Sequence, residues 1–407
     1  MNLWQCPHPA LFLKEICSNL EKVDTHCIVS LPERLIPSFQ EELCAYWGDI
    51  WGDLPILTLD EETELTNAMS PYFATEDPIT NLMGLTECVL RGSSTLAVVL
   101  TEKPHSKEQE FFCFLNYLAA HAKNSRDNGH CLNWNMLVIA PADRPIPNPD
   151  VGLRCFYWWG HLHNSDVEYA IEFAFKDIFR NGTHQEKLAY WWLYPLCKGL
   201  SSGDPELVEH IIRDFPRDIE TLIATLKKHE LNTEENGQLV RNFLEAPQYT
   251  PKSNDYPRGI LAKLWHKGII DLDCSGRLAI HPAALLAAGQ VENLEELVIR
   301  GQMFFFLPLV QDVHNLLSRR VEKHLGNVLE EFFPEDGAFD SARYEIGPFY
   351  AFLSYLYKEK GKSVPYHILD TAKKWRELRN DIAHIKMLSC QTIECALAAY
   401  ENLLKMN

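Results

Sequence analysis

The sequence predicts a multidomain α/β plus all-α protein. An amino-terminal parallel-sheet α/β domain comes first, then a helical middle, then a carboxy-terminal bundle of four helices. Two observations carry this. Over residues 1–165, nearly continuous short apolar runs alternate with helical stretches, the pattern of a parallel sheet covered on both faces. Beyond residue 165 the apolar period becomes helical and strand signals nearly vanish. At 407 residues the chain is long enough for two to four domains.

The expected strands are 25–31 (THCIVSL), 55–60 (PILTLD), 95–101 (TLAVVLT), 135–141 (NMLVIAP) and 153–159 (LRCFYWW). Helices such as 37–46 and 109–123 separate several of them. Residues 168–244 follow a helical period, which sets a helical domain at 166–246. Residues 247–257 (PQYTPKSNDYP) hold three prolines among Ser, Asn and Asp and form a linker. The segment 258–301 opens with an amphipathic helix that stops at Gly268. Two short strands follow around the Ser275-Gly276 turn. Residues 302–407 then give helices over 309–332, 347–357, 365–382 and 391–406, and Pro365 sits in the first turn, where proline is tolerated. In the first of these, Leu309, Val313, Leu316, Leu317, Val321, Val328, Leu329 and Phe332 share a stripe.

Charge narrows the function. Lys plus Arg number 38 against 56 Asp plus Glu, a net −18, which excludes a surface built throughout to grip nucleic acid or anionic membrane. Nearly all the excess acid lies in residues 1–301, with 42 acidic against 25 basic groups; residues 302–407 carry 14 against 13. The longest apolar runs, near 96–100 and 303–307, fall far short of the roughly 20 residues of a membrane span. The amino terminus shows no basic stretch followed by an apolar one, so no signal peptide is read and a cytoplasmic protein is expected. Twelve cysteines without any CxxC pair argue against a disulfide scaffold, a zinc ribbon or a thioredoxin-type site. In a reducing cytosol they act as small buried hydrophobes. His161 and His163 alternate on a strand near Cys155, but no fourth ligand follows. Neither metal nor cofactor is expected.

The stretch with chemistry is 375–384, WRELRNDIAH, at the end of the third bundle helix. Arg379 and His384 are separated by four residues, and polar Asn380 follows the arginine. This resembles the R-x4-6-H motif of the HEPN superfamily, four- to five-helix bundles that are often metal-independent ribonucleases. The resemblance covers roughly residues 302–407. A second pair of the same spacing, Arg319 and His324, lies mid-helix with Arg320 where a neutral polar residue is wanted. The wording LRNDIAH and its place on the penultimate helix single out the first pair. The resemblance implies that His384 takes the 2′-hydroxyl proton, Arg379 holds the phosphate and Asn380 supports both. It also implies a homodimer with both motifs lining one cleft, and products ending in a 2′,3′-cyclic phosphate. On a regular helix Asn380 and His384 share a face while Arg379 turns away, so a long side chain or a helix break must close the gap. Residues 358–379 hold seven basic and three acidic residues. In that strip Lys373, Lys374 and Arg376 are the candidates for holding an RNA backbone.

The order of elements in residues 23–160, then helices, then 258–301, resembles STAND and other AAA-like P-loop NTPases. No G-x-x-x-x-G-K-[ST] occurs, and PERLIP (32–37) follows the first strand. Without those glycines and that lysine the backbone cannot cradle phosphate, so the resemblance implies a degenerate scaffold. The helix and hairpin of 258–282 resemble the end of a winged helix, serving either packing or DNA reading. The expectation is an endoribonuclease effector of a bacterial defence or toxin–antitoxin system, with protein partners from that system. Two alternatives stay open: a catalytically silent adaptor whose bundle only dimerises, and a transcription regulator acting through 258–282.

Overall fold

A computed structural model describes residues 3–22, 25–60, 64–74, 81–101, 107–128, 134–144, 146–150, 152–158, 164–176, 182–201, 204–245, 257–272, 277–325, 345–359 and 364–405. The expected linker 247–257, apart from Pro257, lies outside the described residues. So do His161, His163, the Ser275-Gly276 turn and, from the expected helix 309–332, Val328, Leu329 and Phe332. The chain forms two compact units. One comprises Met1–Asp166, Ser202–Asp204 and Thr233–Ala284; the other comprises Val167–Ser201, Pro205–Asn232 and Leu285–Asn407.

The first unit is built on strands β1 (His26–Leu31), β2 (Ile56–Leu59), β5 (Thr95–Leu100), β6 (Asn135–Pro141) and β7 (Leu153–Tyr157). A small antiparallel pair, β3 (Phe73–Ala74) and β4 (Val89–Leu90), lies apart from them. The five-stranded sheet has the order β2-β5-β6-β1-β7, and every pairing is parallel. One row of paired residues, Leu57, Val98, Val138, Ile28 and Cys155, crosses all five strands. Every residue of β1, β5 and β6 is buried, which is why these strands read as continuous apolar runs rather than alternating ones. Phe111, Phe114, Leu115 and Leu118 of the helix Glu108–Asn128 join the core with Ile28, Val98 and Val138. A second aromatic cluster joins Trp4, Phe12, Phe39 and Trp158, with the Trp4 ring 4.8 Å from Phe39 and 5.2 Å from Trp158.

His26 opens β1 inside this core. Its Nδ1 accepts the Met136 N–H at 3.1 Å, so the acceptor nitrogen must stay unprotonated. Burial pushes its pKa down from 6.5 to about 4. The unfolded chain takes up a proton below about pH 6.5 and the folded chain does not. Stability present above pH 6.5 is therefore lost as the pH falls through about 4, by about 3 kcal/mol at most. His26→Asn keeps an acceptor without a titrating group, and its urea midpoint should fall less than the wild type's between pH 7 and pH 4. Equal losses in the two proteins would contradict this role for His26.

The first unit continues through the short helix Ile260–His266 into an antiparallel hairpin, β8 (Ile270–Leu272) and β9 (Leu278–Ile280). The helix is shorter than the sequence suggests, because Gly259 at φ 62° begins it and Gly268 at φ 67° follows it. Trp265 is fully buried and its indole N–H donates to the Trp158 carbonyl at 2.7 Å. The left-handed φ at Gly268 favours glycine there, and a Cβ would fall 2.5 Å from Arg34 Nε, so that side chain would have to shift.

In the second unit one helix, Val291–Leu325, runs unbroken through residue 301, where a domain boundary was expected. The reason is packing. Gly301 and Gly199 let this helix cross His184–Leu200 at close range, since a Cβ at Gly301 would fall 2.1 Å from the Pro195 carbonyl oxygen. The reciprocal Cβ at Gly199 would meet the Leu297 oxygen at 2.2 Å. The helical middle is thus no separate domain: His184–Leu200 packs in the bundle with Val291–Leu325, Tyr366–Ala383 and Cys390–Lys405. Trp191 joins them, 6.0 Å from Phe306, 5.9 Å from Trp375 and 5.8 Å from Tyr400 by ring centres. The buried stripe of the long helix is Phe306, Val310, Val313, Leu317 and Val321, while Leu309 and Leu316 stay half-exposed. No helix among the described residues is long and apolar enough to cross a membrane. Not every cysteine is buried: Cys113 and Cys395 are exposed, because helical geometry turns both outward from their apolar neighbours.

Candidate functional site

The helix Tyr366–Ala383 is held by one face. Ile368, Thr371, Ala372, Trp375, Leu378 and Ile382 are buried at three- and four-residue intervals. The Trp375 indole donates to the Ala396 carbonyl at 3.1 Å, and the Thr371 hydroxyl to the His367 carbonyl at 2.7 Å. That anchoring leaves the remaining face to Lys373, Lys374, Arg376, Glu377, Asn380 and Asp381.

The helix ends at His384, the C-cap residue, which is exposed and whose N–H donates to the Asn380 carbonyl at 2.9 Å. The next two N–H groups fold back, Ile385 onto the Ile382 carbonyl and Lys386 onto that of Asp381. This is a Schellman closure that satisfies carbonyls the helix leaves open. Its left-handed position, normally glycine, is Ile385 at φ 54°, with 68% of its surface exposed. A β-branched residue there is strained by roughly 1–2 kcal/mol. The chain leaves the helix only after His384, whose own N–H still bonds to the Asn380 carbonyl, so the break expected before His384 is not found and the two residues keep their helical offset; reach across it is left to the long Arg379 side chain.

Arg379 forms an ion pair with Glu345, and its Nη1 donates to Asn380 Oδ1 at 3.5 Å. Lys374 pairs with Asp370 at 2.8 Å, and that hydrogen bond raises the lysine's pKa. Lys373 lies 3.9 Å from Glu377, and the Arg376 guanidinium sits over the Tyr350 ring at 5.1 Å. The basic strip is thus partly neutralised by carboxylates one turn away. By contrast, Arg319, Arg320, Lys323 and His324 form no ion pair among the described residues. His367 lies close enough that its pKa is lowered, first by burial and then by the cations His324 and Arg320.

A cleft of about 480 Å³ opens beside the motif. Lys374, Glu377, Asn380 and Asp381 line one side, and Gln391, Thr392 and Cys395 from the first turns of Cys390–Lys405 line the other. Of the three residues picked out for chemistry, Asn380 lines it; Arg379 and His384 do not. Reading the sequence missed Asp381, Gln391 and Thr392, although each lies within a dozen residues of the motif. Their signal is polarity on the first and last turns of helices whose other faces are apolar.

In the first unit, the crevice beyond the carboxyl ends of the strands is where open α/β sheets usually hold a ligand. Here side chains from the loops after β1 and β6 cross it. Arg34 pairs with Asp204 at 2.9 Å, and His281 lies 3.3 Å from the same oxygen. Arg144 donates to the Thr101 carbonyl at 3.0 Å and lies 3.6 Å from Glu108. The His266 ring stands 3.4 Å from Glu33 and 3.8 Å from Asp143. Asp271 on β8 is buried nearby; burial drives its pKa well up, against the pull of Arg34 and with the push of Asp204. Cys155, the remaining member of the candidate metal group, donates to the Pro147 carbonyl at 3.6 Å, and burial pushes its pKa up to about 11. A thiol held in that state is a poor metal ligand.

The chain matches no known protein family, no characterised protein and no solved structure.

Proposed function

We propose that the protein is a metal-independent endoribonuclease, with His384, Arg379 and Asn380 as its catalytic residues. The observation that carries this is the helix end itself. His384 stands in solvent at the end of the helix, about one turn from Arg379 and Asn380, and Asn380 lines the neighbouring cleft. Histidine can take the proton of a ribose 2′-hydroxyl, and that oxygen then attacks the adjacent phosphorus. The P–O5′ bond breaks, and the leaving 5′-oxygen takes up a proton. Arginine offers a fixed fork of donors to the phosphate as charge builds. Asn380, which accepts from Arg379, orients the guanidinium. Lys373, Lys374 and Arg376 guide the RNA backbone along the same helix. The test is direct: the purified chain should cleave RNA in EDTA, and His384→Ala should not.

In this proposal the first unit is a regulatory, degenerate NTPase-like scaffold, and its helix–hairpin segment is a winged-helix-like packing element. Ion pairs at the carboxyl edge of the sheet, in place of a phosphate loop, support that reading. The protein would serve a cytoplasmic bacterial defence or toxin–antitoxin system. It would act as a homodimer through its carboxy-terminal bundle, so light scattering at micromolar concentration should give twice the chain mass of 46.8 kDa. A monomer at that concentration would count against the shared cleft. One observation favours the silent-adaptor alternative: Arg379 is already engaged by Glu345, as a purely structural arginine would be.

A further inference from the structure

We propose that the cleft beside Asn380 is a guanine-selecting pocket, which fixes the base next to the bond that is cut; this rests on the ribonuclease reading. Its volume of about 480 Å³ falls in the roughly 300–1,000 Å³ range of small-ligand sites and admits a nucleotide. Its chemistry is the stronger ground. The Asp381 side chain is half-buried in the cleft wall and has no hydrogen bond or ion pair among the described residues. A carboxylate offers two acceptor oxygens side by side and no donor. Among the four RNA bases, only guanine presents two adjacent donors, N1–H and the N2 amino group, on its pairing edge. Adenine and cytosine set a ring-nitrogen acceptor beside their amino group, which repels a carboxylate. Uracil has one N–H between two carbonyls. Guanine then leaves its O6 acceptor to be met by a donor, and the Gln391 amide lines the same cleft. Lys374 spends one of its three donors on Asp370 and keeps two. Reading an unstacked base by its pairing edge is the usual route to sequence preference on single-stranded RNA.

Two measurements on the full chain test this. In titrations with guanosine, adenosine, cytidine and uridine 5′-monophosphates, the guanine nucleotide should bind at least tenfold more tightly than the others. Asp381→Asn replaces one acceptor with a donor at unchanged size. It should weaken guanine binding by about ten- to a hundredfold, as loss of a charged hydrogen-bond pair does. Gln391→Ala should weaken the same nucleotide, and Cys113→Ala, at an exposed residue of the first unit, should leave the base order unchanged. On oligoribonucleotides varied at one position, wild-type cleavage should follow guanine, and Asp381→Asn should cut with that preference lost. Equal binding of all four nucleotides, or guanine binding untouched by Asp381→Asn, would overturn the pocket. Cleavage that needs His384 but ignores base identity sinks the pocket and spares the ribonuclease. Guanine-selective binding without any cleavage sinks the ribonuclease and spares the pocket.

Discussion

His384→Ala should lower RNA cleavage by about 100- to 10,000-fold, the usual worth of a positioned acid–base group. The residue caps an exposed helix end, so its loss should leave the urea midpoint nearly unchanged. Arg379→Ala should cost a similar factor, since a preorganised cation at a developing charge contributes on that order. Arg379→Lys should recover activity only in part, because the ammonium lacks the planar fork. His324→Ala serves as the internal control: it has the same spacing from Arg319 but lies outside the motif helix, and should cleave like the wild type. Glu345→Gln separates the two roles open to Arg379. A catalytic arginine freed from Glu345 keeps or gains cleavage. An arginine whose work is to hold Glu345 gives no activity in either protein, and the silent-adaptor alternative then stands.

The largest effect on stability should come from Gly301→Ala. Its new Cβ would fall 2.1 Å from a backbone oxygen of Pro195, and backbone inside a helix cannot swing aside as a side-chain tip can. The two helices must then separate along their crossing. Separation would loosen the contacts of Trp191 with Phe306 and Trp375. Overfilling a packed core costs about 1–3 kcal/mol and sometimes more; a contact this short lies at the upper end. Gly199→Ala should behave alike, as its Cβ meets the Leu297 oxygen at 2.2 Å. Gly347→Ala is the matched control, with open space around its Cβ, and should be neutral or slightly stabilising. Urea unfolding of the three variants decides the matter; a Gly301→Ala protein as stable as wild type would exclude the close crossing.

The parallel sheet was legible because burial on both faces leaves an unbroken apolar run, and TLAVVL and NMLVIAP can hardly be anything else. The helices of the carboxy-terminal region were legible from their apolar period. What escaped was long-range. A glycine such as Gly301 reads as a weak point in a helix and a plausible boundary, yet its meaning is set by Pro195 and Gly199, a hundred residues earlier. The charged crossing of the sheet edge escaped for the same reason: Arg34, Asp204 and His281 are remote in sequence and meet only in the fold. At the motif, the order of residues located the helix end, but the turn-back falls after His384, at Ile385, where no glycine signals it. The engagement of Arg379 by Glu345, and the cleft formed with Gln391 and Thr392, depend on neighbouring helices that no local pattern specifies.

The chemical end left on the RNA decides whether His384 works as a base on the 2′-hydroxyl. Attack by the neighbouring 2′-hydroxyl, with His384 taking its proton and no metal involved, must give a 2′,3′-cyclic phosphate on one fragment. The other fragment must carry a free 5′-hydroxyl. Both ends are expected from the purified wild-type chain in excess EDTA, and neither from His384→Ala. Fragments carrying a 5′-phosphate, cleavage that stops in EDTA, or equal cutting by His384→Ala would contradict it.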